Sequence, residues 1–181
     1  MGKFVSVAFV CAFLFATKVY AASAPEPLKG KSVVISWTET RQQRHVGEPN
    51  FYSVSASIKL SIYVSTAGRV FSRQTNSTSA GSGTNEQVAG ERGGVVPTRT
   101  PLFNGQTMTV IGEGKGGARR TLVDFDASFG SCTARVATAF ESGKSAILFS
   151  PITKKNVEMK SVTSSGAGCS VQSGNVLGGA T

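Results

Sequence analysis

Apolar and polar residues alternate along several stretches of this chain, and a period of two is typical of a half-buried β-strand. The clearest case is residues 54–64, where serine, lysine and tyrosine side chains fill the odd positions. The even positions carry Val54, Ala56, Ile58, Leu60, Ile62 and Val64. Because successive side chains of a strand point to opposite faces, this segment predicts one face toward a core and one toward water.

The same pattern predicts further strands, and beyond residue 24 no window repeats its apolar residues at helical spacing. The predicted strands are residues 33–40, 54–64, 69–74, 106–111, 121–127, 132–140, 146–149, 157–162 and 169–172. The sequence therefore predicts an all-β fold, a single-domain antiparallel sandwich or closed barrel of about nine strands.

Two turns fix the register of predicted hairpins. A three-residue loop at residues 66–68, with Gly68 in the left-handed conformation, sets Val64 opposite Val70. A two-residue turn at residues 129–130 sets Phe125 opposite Ala134 on the apolar face and Asp124 opposite Arg135 on the polar face.

Residues 76–105 form the longest stretch without an apolar pattern, and they contain Gly81, Gly83, Gly90, Gly93 and Gly94 with two prolines. A loop of this length in a compact domain is either functional or disordered, and the composition favours disorder. The glycine-rich end of the chain, residues 174–181, is expected to fray.

The amino-terminal residues have the pattern of an export signal. Lys3 is followed by a mostly apolar run at residues 4–17 and by small residues before a cleavage site after Ala21. An uncleaved anchor is the alternative, but a membrane span needs about 20 apolar residues. We expect residues 1–21 to be a signal peptide and residues 22–181 to form one β domain in the periplasm or outside the cell.

Charge and cysteine content follow from that cleavage. It removes two of the 19 basic residues and none of the ten acidic ones, which leaves a formal charge of +7. The excess supports solubility and attraction to anionic surfaces. Cys132 and Cys169 remain, and we expect a disulfide between them because exported compartments are usually oxidising. The alternative is that both are small buried hydrophobic residues.

Short motifs that resemble cofactor or metal sites are present, but the residues around them do not support such sites. Residues 112–117 (GEGKGG) match a dinucleotide-binding spelling, but the segment that follows is predicted as a strand rather than a helix. Residues 124–128 resemble the start of a calcium loop, yet the required glycine and glutamate are replaced by Phe129 and Arg135. His45, the single histidine, has no partner at zinc-ligand spacing. The sequence predicts no cofactor, no metal site and no catalytic triad.

Candidate ligand-binding residues lie in two basic segments. One follows a predicted strand carrying Trp37 and Glu39, and its residues are Arg41, Gln42, Gln43, Arg44 and His45. The other is the adjacent pair Arg119 and Arg120. Planar guanidinium and amide donors suit sugars and anionic groups. The alternative for the first segment is a polar turn between strands.

Residues 28–39 (LKGKSVVISWTE) and 169–176 (CSVQSGNV) resemble exported bacterial proteins that have no assigned activity. The resemblance covers most of the mature chain. It implies a bacterial envelope location, and it carries over no activity, cofactor or site residue.

These observations favour a non-catalytic exported sandwich that binds an anionic or carbohydrate component of the envelope. Anionic polysaccharide or lipid headgroups are the expected partners. Nucleic acid is not an expected partner, because the basic residues lack interleaved aromatic residues. No stable membrane insertion is expected after cleavage. Two alternatives remain open: a hydrolase of envelope polymers using Asp124, Asp126 or Glu39, and a small outer-membrane β-barrel.

Overall fold

The computed structural model describes residues 23–78, 81–88, 101–114, 117–140, 145–149 and 154–177. Within them lie ten strands, rather than the nine that the pattern predicts, and one 3₁₀ turn at Glu26–Leu28. The strands are β1 (Lys31–His45), β2 (Tyr52–Val64), β3 (Val70–Thr78), β4 (Gly81–Val88), β5 (Pro101–Asn104), β6 (Thr107–Gly114), β7 (Gly117–Phe125), β8 (Cys132–Phe140), β9 (Ala146–Phe149) and β10 (Asn156–Ser173).

The strands form two antiparallel sheets. The large sheet has the order β4-β3-β2-β1-β10-β9, and the small sheet has the order β5-β6-β7-β8. Neither sheet closes on itself within the described residues. The predicted all-β class is confirmed and a sandwich fits the arrangement, whereas a closed barrel is not confirmed.

One apolar core lies between the sheets. The large sheet contributes Val33, Ile35 and Trp37 from β1, and the small sheet contributes Met108 and Val123 among others. The predicted inner face of β2 is confirmed, since its side chains from Ala56 to Val64 at even positions are all buried. Burying each large aliphatic side chain contributes about 1.5–3 kcal/mol. Burial of these alternating residues therefore stabilises the packing of the two sheets.

The β2–β3 hairpin has the predicted register. Val64 pairs with Val70 and Tyr63 with Phe71, and Gly68 has a φ of +80°. The Ser65 N–H donates to the Arg69 carbonyl at 2.8 Å, which closes the three-residue loop. Because only glycine adopts this left-handed conformation without strain, a local signal was sufficient to set the pairing.

The predicted β7–β8 register is wrong by two residues. Phe125 pairs with Cys132 and Val123 with Ala134, because Phe129 folds back to 5.2 Å from the Phe125 ring centroid instead of forming a tight turn. A shift of two preserves the face of every side chain. Phe125 is accordingly buried as predicted.

Two details next to the predicted turn differ from the sequence-based expectation. Ala127, expected on the apolar face, is exposed in the longer loop. Asp124 and Arg135 do form an ion pair at 3.1 Å on the exposed face, but it is diagonal, because Asp124 pairs with Thr133.

The Asp126 carboxylate holds the β7–β8 loop together. It accepts hydrogen bonds from both the N–H and the hydroxyl groups of Ser128 and Ser131, and from the N–H of Gly130. These bonds, led by that from the Ser131 hydroxyl, lower the pKa of Asp126 from 3.8 to about 2. The ionised carboxylate is therefore the form that stabilises the loop.

Acid should weaken the fold through Asp126. Its stabilising contribution is complete above the unfolded-state pKa and is lost as the pH falls through the folded-state value, between about pH 4 and pH 2. Thermal unfolding midpoints measured from pH 6 to pH 2 should therefore fall more steeply for the wild type than for Asp126→Asn, which should already be less stable at pH 6. Parallel curves for the two proteins would contradict this role.

The segment 76–105, predicted as a loop, contains strands. β3 continues to Thr78, β4 pairs with β3 along its whole length, and β5 begins at Pro101. Residues 79–80 and 89–100 lie outside the described residues. The backbone ladder of β4 does not require apolar side chains, which is why the composition did not indicate it.

β10 combines two predicted strands, 157–162 and 169–172, into one of 18 residues. Its register against β1 shifts between Ser36 and Thr38 and again between Gln42 and Gln43. The polar residues between the two apolar stretches interrupt the alternation. The sequence pattern therefore predicted two strands where the backbone forms one continuous strand with irregular pairing.

The carboxy-terminal segment packs on the sheet as far as Leu177, contrary to the predicted fraying. The Gly174 N–H donates to the Gly30 carbonyl at 2.8 Å, and the Val176 N–H donates to the Ser32 hydroxyl at 3.2 Å. Leu177 is buried. Residues 178–181 lie outside the described residues.

The predicted disulfide is confirmed. Cys132 on β8 is bonded to Cys169 on β10, with Cα atoms 5.5 Å apart. The bond connects the two sheets at the side where β8 lies against β10. The predicted signal peptide lies outside the described residues. Within the described residues, no helix is long and apolar enough to cross a membrane.

Candidate functional site

Glu39 occupies a core position of the large sheet. The inward side of β1 carries Val33, Ile35 and Trp37, and Glu39 is the next inward residue and is fully buried. The segment from Arg41 to His45, expected to follow the strand as a loop or polar turn, is the end of β1. A carboxylate is thus inserted into the end of the apolar face, and such burial is costly unless the charge is compensated.

Two arginines and a tryptophan compensate that charge. Trp37 Nε1 donates to Glu39 Oε1 at 2.9 Å, and Arg119 Nη2 lies 2.5 Å from the same oxygen. Arg41 donates from Nε at 2.9 Å and from Nη2 at 2.7 Å to Oε2. Arg41 thus directs two donors at a single carboxylate oxygen, and such charge-assisted hydrogen bonds are stronger than neutral ones.

Arg119 reaches Glu39 from the opposite sheet. It takes the inward position of β7 two residues before Thr121, and its guanidinium lies 5.7 Å from the centroid of the Trp37 ring. Burial lowers the pKa of Arg119, and the Glu39 carboxylate raises it. A guanidinium nevertheless stays protonated in proteins. The two sheets therefore meet here through an ion pair rather than through apolar contact.

The site has more cationic than anionic groups. Two guanidiniums surround one carboxylate, and both arginine side chains are only partly exposed. Arg119 Nε and the hydroxyl of Ser164, which pairs with Glu39 across β1 and β10, are buried and have no hydrogen-bond partner. Buried donors of this kind are normally satisfied. We call Trp37, Glu39, Arg41, Arg119 and Ser164 the guanidinium cluster.

No family model, curated protein or solved structure matches this chain. The guanidinium cluster is therefore interpreted from its own geometry and chemistry.

The remaining predicted ligand-binding residues are not part of the cluster. Arg44 lies on the outer side of β1, where it bonds Glu158 at 2.7 Å and stacks 4.5 Å from the Phe51 centroid. The bond from Arg44 lowers the pKa of Glu158. Gln42 shares that outer side, and Arg120 is exposed on the outside of the small sheet.

Gln43 and His45 continue the inner side of β1 beyond Arg41. The His45 ring lies 6.2 Å from that of Tyr52, and its Nδ1 atom is buried without a hydrogen-bond partner. The structure thus brings Arg41 and Arg119 together and leaves the other candidates apart from them.

Basic residues outside the cluster are distributed over several surfaces. Arg120 and Arg135 lie on the outside of the small sheet, whereas Lys59 and Lys160 lie on the outside of the large one. The described basic residues therefore do not form a single cationic face. Arg92, Arg99 and Lys115 lie outside the described residues.

The carboxylates considered for hydrolysis each have strong partners. Asp124 bonds Arg135, Asp126 holds its own loop, and Glu39 is bound by both arginines. Among the described residues, no group of three or more acidic, histidine or cysteine side chains is placed to hold a metal ion. The GEGKGG segment connects two paired strands, since Gly114 of β6 pairs with Gly117 of β7.

Sequence reasoning ended the strand at Thr40 and considered Glu39 only as a carboxylate for hydrolysis, and so missed its role. The signal that could have identified it is the spacing of Trp37, Glu39 and Arg41, because residues at i, i+2 and i+4 share one face of a strand. No pattern in the sequence indicates that Ser164 lies beside Glu39, since this proximity depends on the pairing of β1 with β10.

Proposed function

We propose that this protein is an exported, non-catalytic β-sandwich that binds an anionic group of an envelope component at the guanidinium cluster. The ligand group is an oxyanion such as the carboxylate of an acidic polysaccharide or the phosphate of a lipid headgroup. The observation that carries the proposal is the excess of guanidinium over carboxylate at a partly buried position.

The donors that remain support this assignment. Bonding to Glu39 uses Nε and Nη2 of Arg41 and Nη2 of Arg119. Three further donors do not bond to Glu39: Arg41 Nη1, Arg119 Nε and the Ser164 hydroxyl. A planar guanidinium presents several donors in a fixed fork, so the same side chain can hold Glu39 and an oxyanion ligand together.

Glu39 acts in this proposal as a positioning residue. It holds both guanidiniums in one orientation before the ligand arrives, which reduces the entropy that binding must overcome. The partly buried surroundings strengthen each charge-assisted hydrogen bond relative to one in water. A carboxylate that already accepts bonds from three side chains is poorly suited to act as a general base, so we do not propose the hydrolase.

Export is supported by two features. Ala24 and Leu28 are buried in the core directly after the proposed cleavage site, so the domain begins where the signal peptide would end. The disulfide is also the kind of bond that persists in oxidising compartments.

The experiment measures retention of the exported protein on immobilised polyuronate and on vesicles containing anionic phospholipid. The purified protein is expected to begin at Ala22, and a retained leader would contradict the proposed localisation. We expect retention at low salt that is lost near 1 M NaCl, because the screening length falls from about 10 Å at 0.1 M to about 3 Å. The two matrices distinguish a carboxylate ligand from a phosphate ligand.

Variants identify the site. Arg41→Gln should weaken binding about tenfold or more, since a hydrogen bond to a charged group contributes about 1.5–3 kcal/mol. Arg120→Gln is the matched control, because it removes the same charge from the outside of the small sheet, and its binding should stay within about twofold of the wild type. Equal losses in both variants, or no retention at low salt, would remove the proposal.

A further inference from the structure

The outer side of the large sheet carries a grid of hydroxyl groups. It lies across the sheet from the guanidinium cluster, on the central strands β2, β1 and β10. We call the following six exposed residues the hydroxyl face: Thr38, Thr40, Ser55, Ser57, Thr163 and Ser165.

The pairing of the three strands aligns these side chains in rows. Thr38 pairs with Ser57 on one side and Ser165 on the other. Thr40 pairs in the same way with Ser55 and Thr163. Neighbouring strands are about 4.8 Å apart, and alternate residues along a strand are about 6.8 Å apart. The hydroxyl groups therefore repeat in two directions.

The six residues of the hydroxyl face carry no charge, and the lysines on the same side of the sheet, Lys59 and Lys160, lie at its border. Outward positions 36–42 of β1, 53–57 of β2 and 161–165 of β10 carry serine, threonine and Gln42 alone. The small sheet instead presents Arg120, Asp124 and Arg135. Since exposed protein surfaces commonly have about 25–35% charged residues, the uncharged area restricts which ligands fit it.

We propose that the hydroxyl face binds a neutral polysaccharide with extended chains. A hydroxyl group both donates and accepts hydrogen bonds, and a partner that covers it must offer matching groups or leave it unsatisfied. Sugar hydroxyls provide such matches, repeat along the chain and carry no charge. Many weak contacts in parallel then give useful affinity.

A second copy of this chain fits the face less well. Serine and threonine offer little apolar area to bury, and stable contacts between proteins need about 1,200 Å² with a well-packed apolar centre. Binding at this face is independent of the anion site, because the two lie on opposite sides of the same sheet. The protein would thus hold neutral and acidic parts of envelope polysaccharide at separate surfaces.

The test is retention of the full exported chain on microcrystalline cellulose, an uncharged polymer of extended chains, in 1 M NaCl. The wild type should remain bound, because no ionic contact is involved. The double variant Thr38→Val with Thr40→Val keeps the β-branched shape and removes two hydroxyls. Its retention should fall about tenfold, since each neutral hydrogen bond contributes a factor of a few.

A matched control and a second measurement complete the experiment. The double variant Thr109→Val with Thr133→Val makes the same change on the outside of the small sheet, and it should bind cellulose like the wild type. Circular dichroism verifies that both variants fold. Arg41→Gln should also bind cellulose normally, so failure of the anion site leaves this result unaffected.

Three outcomes would overturn the proposal. These are absence of wild-type binding to cellulose, elution of the wild type by 1 M NaCl, and an equal loss in the control variant. Sedimentation that shows a dimer lost in the Thr38→Val and Thr40→Val variant would assign the face to a second copy instead.

Discussion

Replacing Glu39 by alanine is expected to lower the free energy of unfolding by about 3–5 kcal/mol. The substitution leaves the guanidiniums of Arg41 and Arg119 without their compensating charge, and it leaves Trp37 Nε1 without its acceptor. Urea unfolding of both proteins, fitted with a common slope, measures the difference.

The control for Glu39 is Asp124→Ala, which breaks an exposed ion pair of the same chemical kind. Its cost should stay below about 1 kcal/mol. Similar losses at the two positions would show that Glu39 is not compensating buried charge.

A triple replacement separates the stability of the cluster from its proposed function. Apolar residues of similar volume at Glu39, Arg41 and Arg119 should restore the stability lost in Glu39→Ala, because removing a whole buried ion network is often neutral or stabilising. The same protein should not bind polyuronate or anionic vesicles. Retained binding would place the anion site elsewhere.

Removing the Cys132–Cys169 bond is the second change with a large expected effect. The cysteines are 37 residues apart, and a closed loop of that length restricts the unfolded chain by about 4 kcal/mol in the chain-entropy estimate. The double variant Cys132→Ala with Cys169→Ala should lose about that much unfolding free energy. Loss of well under about 1 kcal/mol would mean that the bond constrains the unfolded chain little.

Thiol titration of the protein, produced in an oxidising compartment and then denatured, provides a separate measurement for the disulfide. No free thiol should be detected for this pair before reduction, and two after it. Two free thiols in the unreduced exported protein would contradict the bond. The single variant Cys169→Ala serves as the control for reactivity, because it leaves Cys132 free on the small sheet.

Local patterns in the sequence were sufficient for the class and for many side-chain faces. The alternation in β2 placed its even-numbered residues in the core, and Gly68 set the pairing of Val64 with Val70. Both depend on residues close together in the chain, where strand geometry and turn conformation act directly. The cysteine pairing was predictable because cleavage at the proposed site would leave two cysteines, and two cysteines can join in one way.

Contacts that the apolar–polar alternation does not show account for the incorrect details. The register of β7 against β8 depends on Phe129 packing against Phe125 and on the Asp126 carboxylate holding a wider loop. β4 forms beside β3 with a sequence that has little strand propensity. In the first case side-chain contacts within the loop, and in the second a neighbouring backbone, outweighed the preference predicted from the residue types.

The candidate site also combines features that the sequence predicts with features that depend on the packing of the sheets. Strand geometry alone places Trp37, Glu39 and Arg41 on one face if β1 continues past Thr40, because side chains alternate along a strand. The burial of that face, and the contact of Glu39 with Arg119 from the other sheet, follow from how the two sheets pack. The stacking of two sheets joins residues far apart in the chain, and no local preference of the backbone encodes which of them will touch.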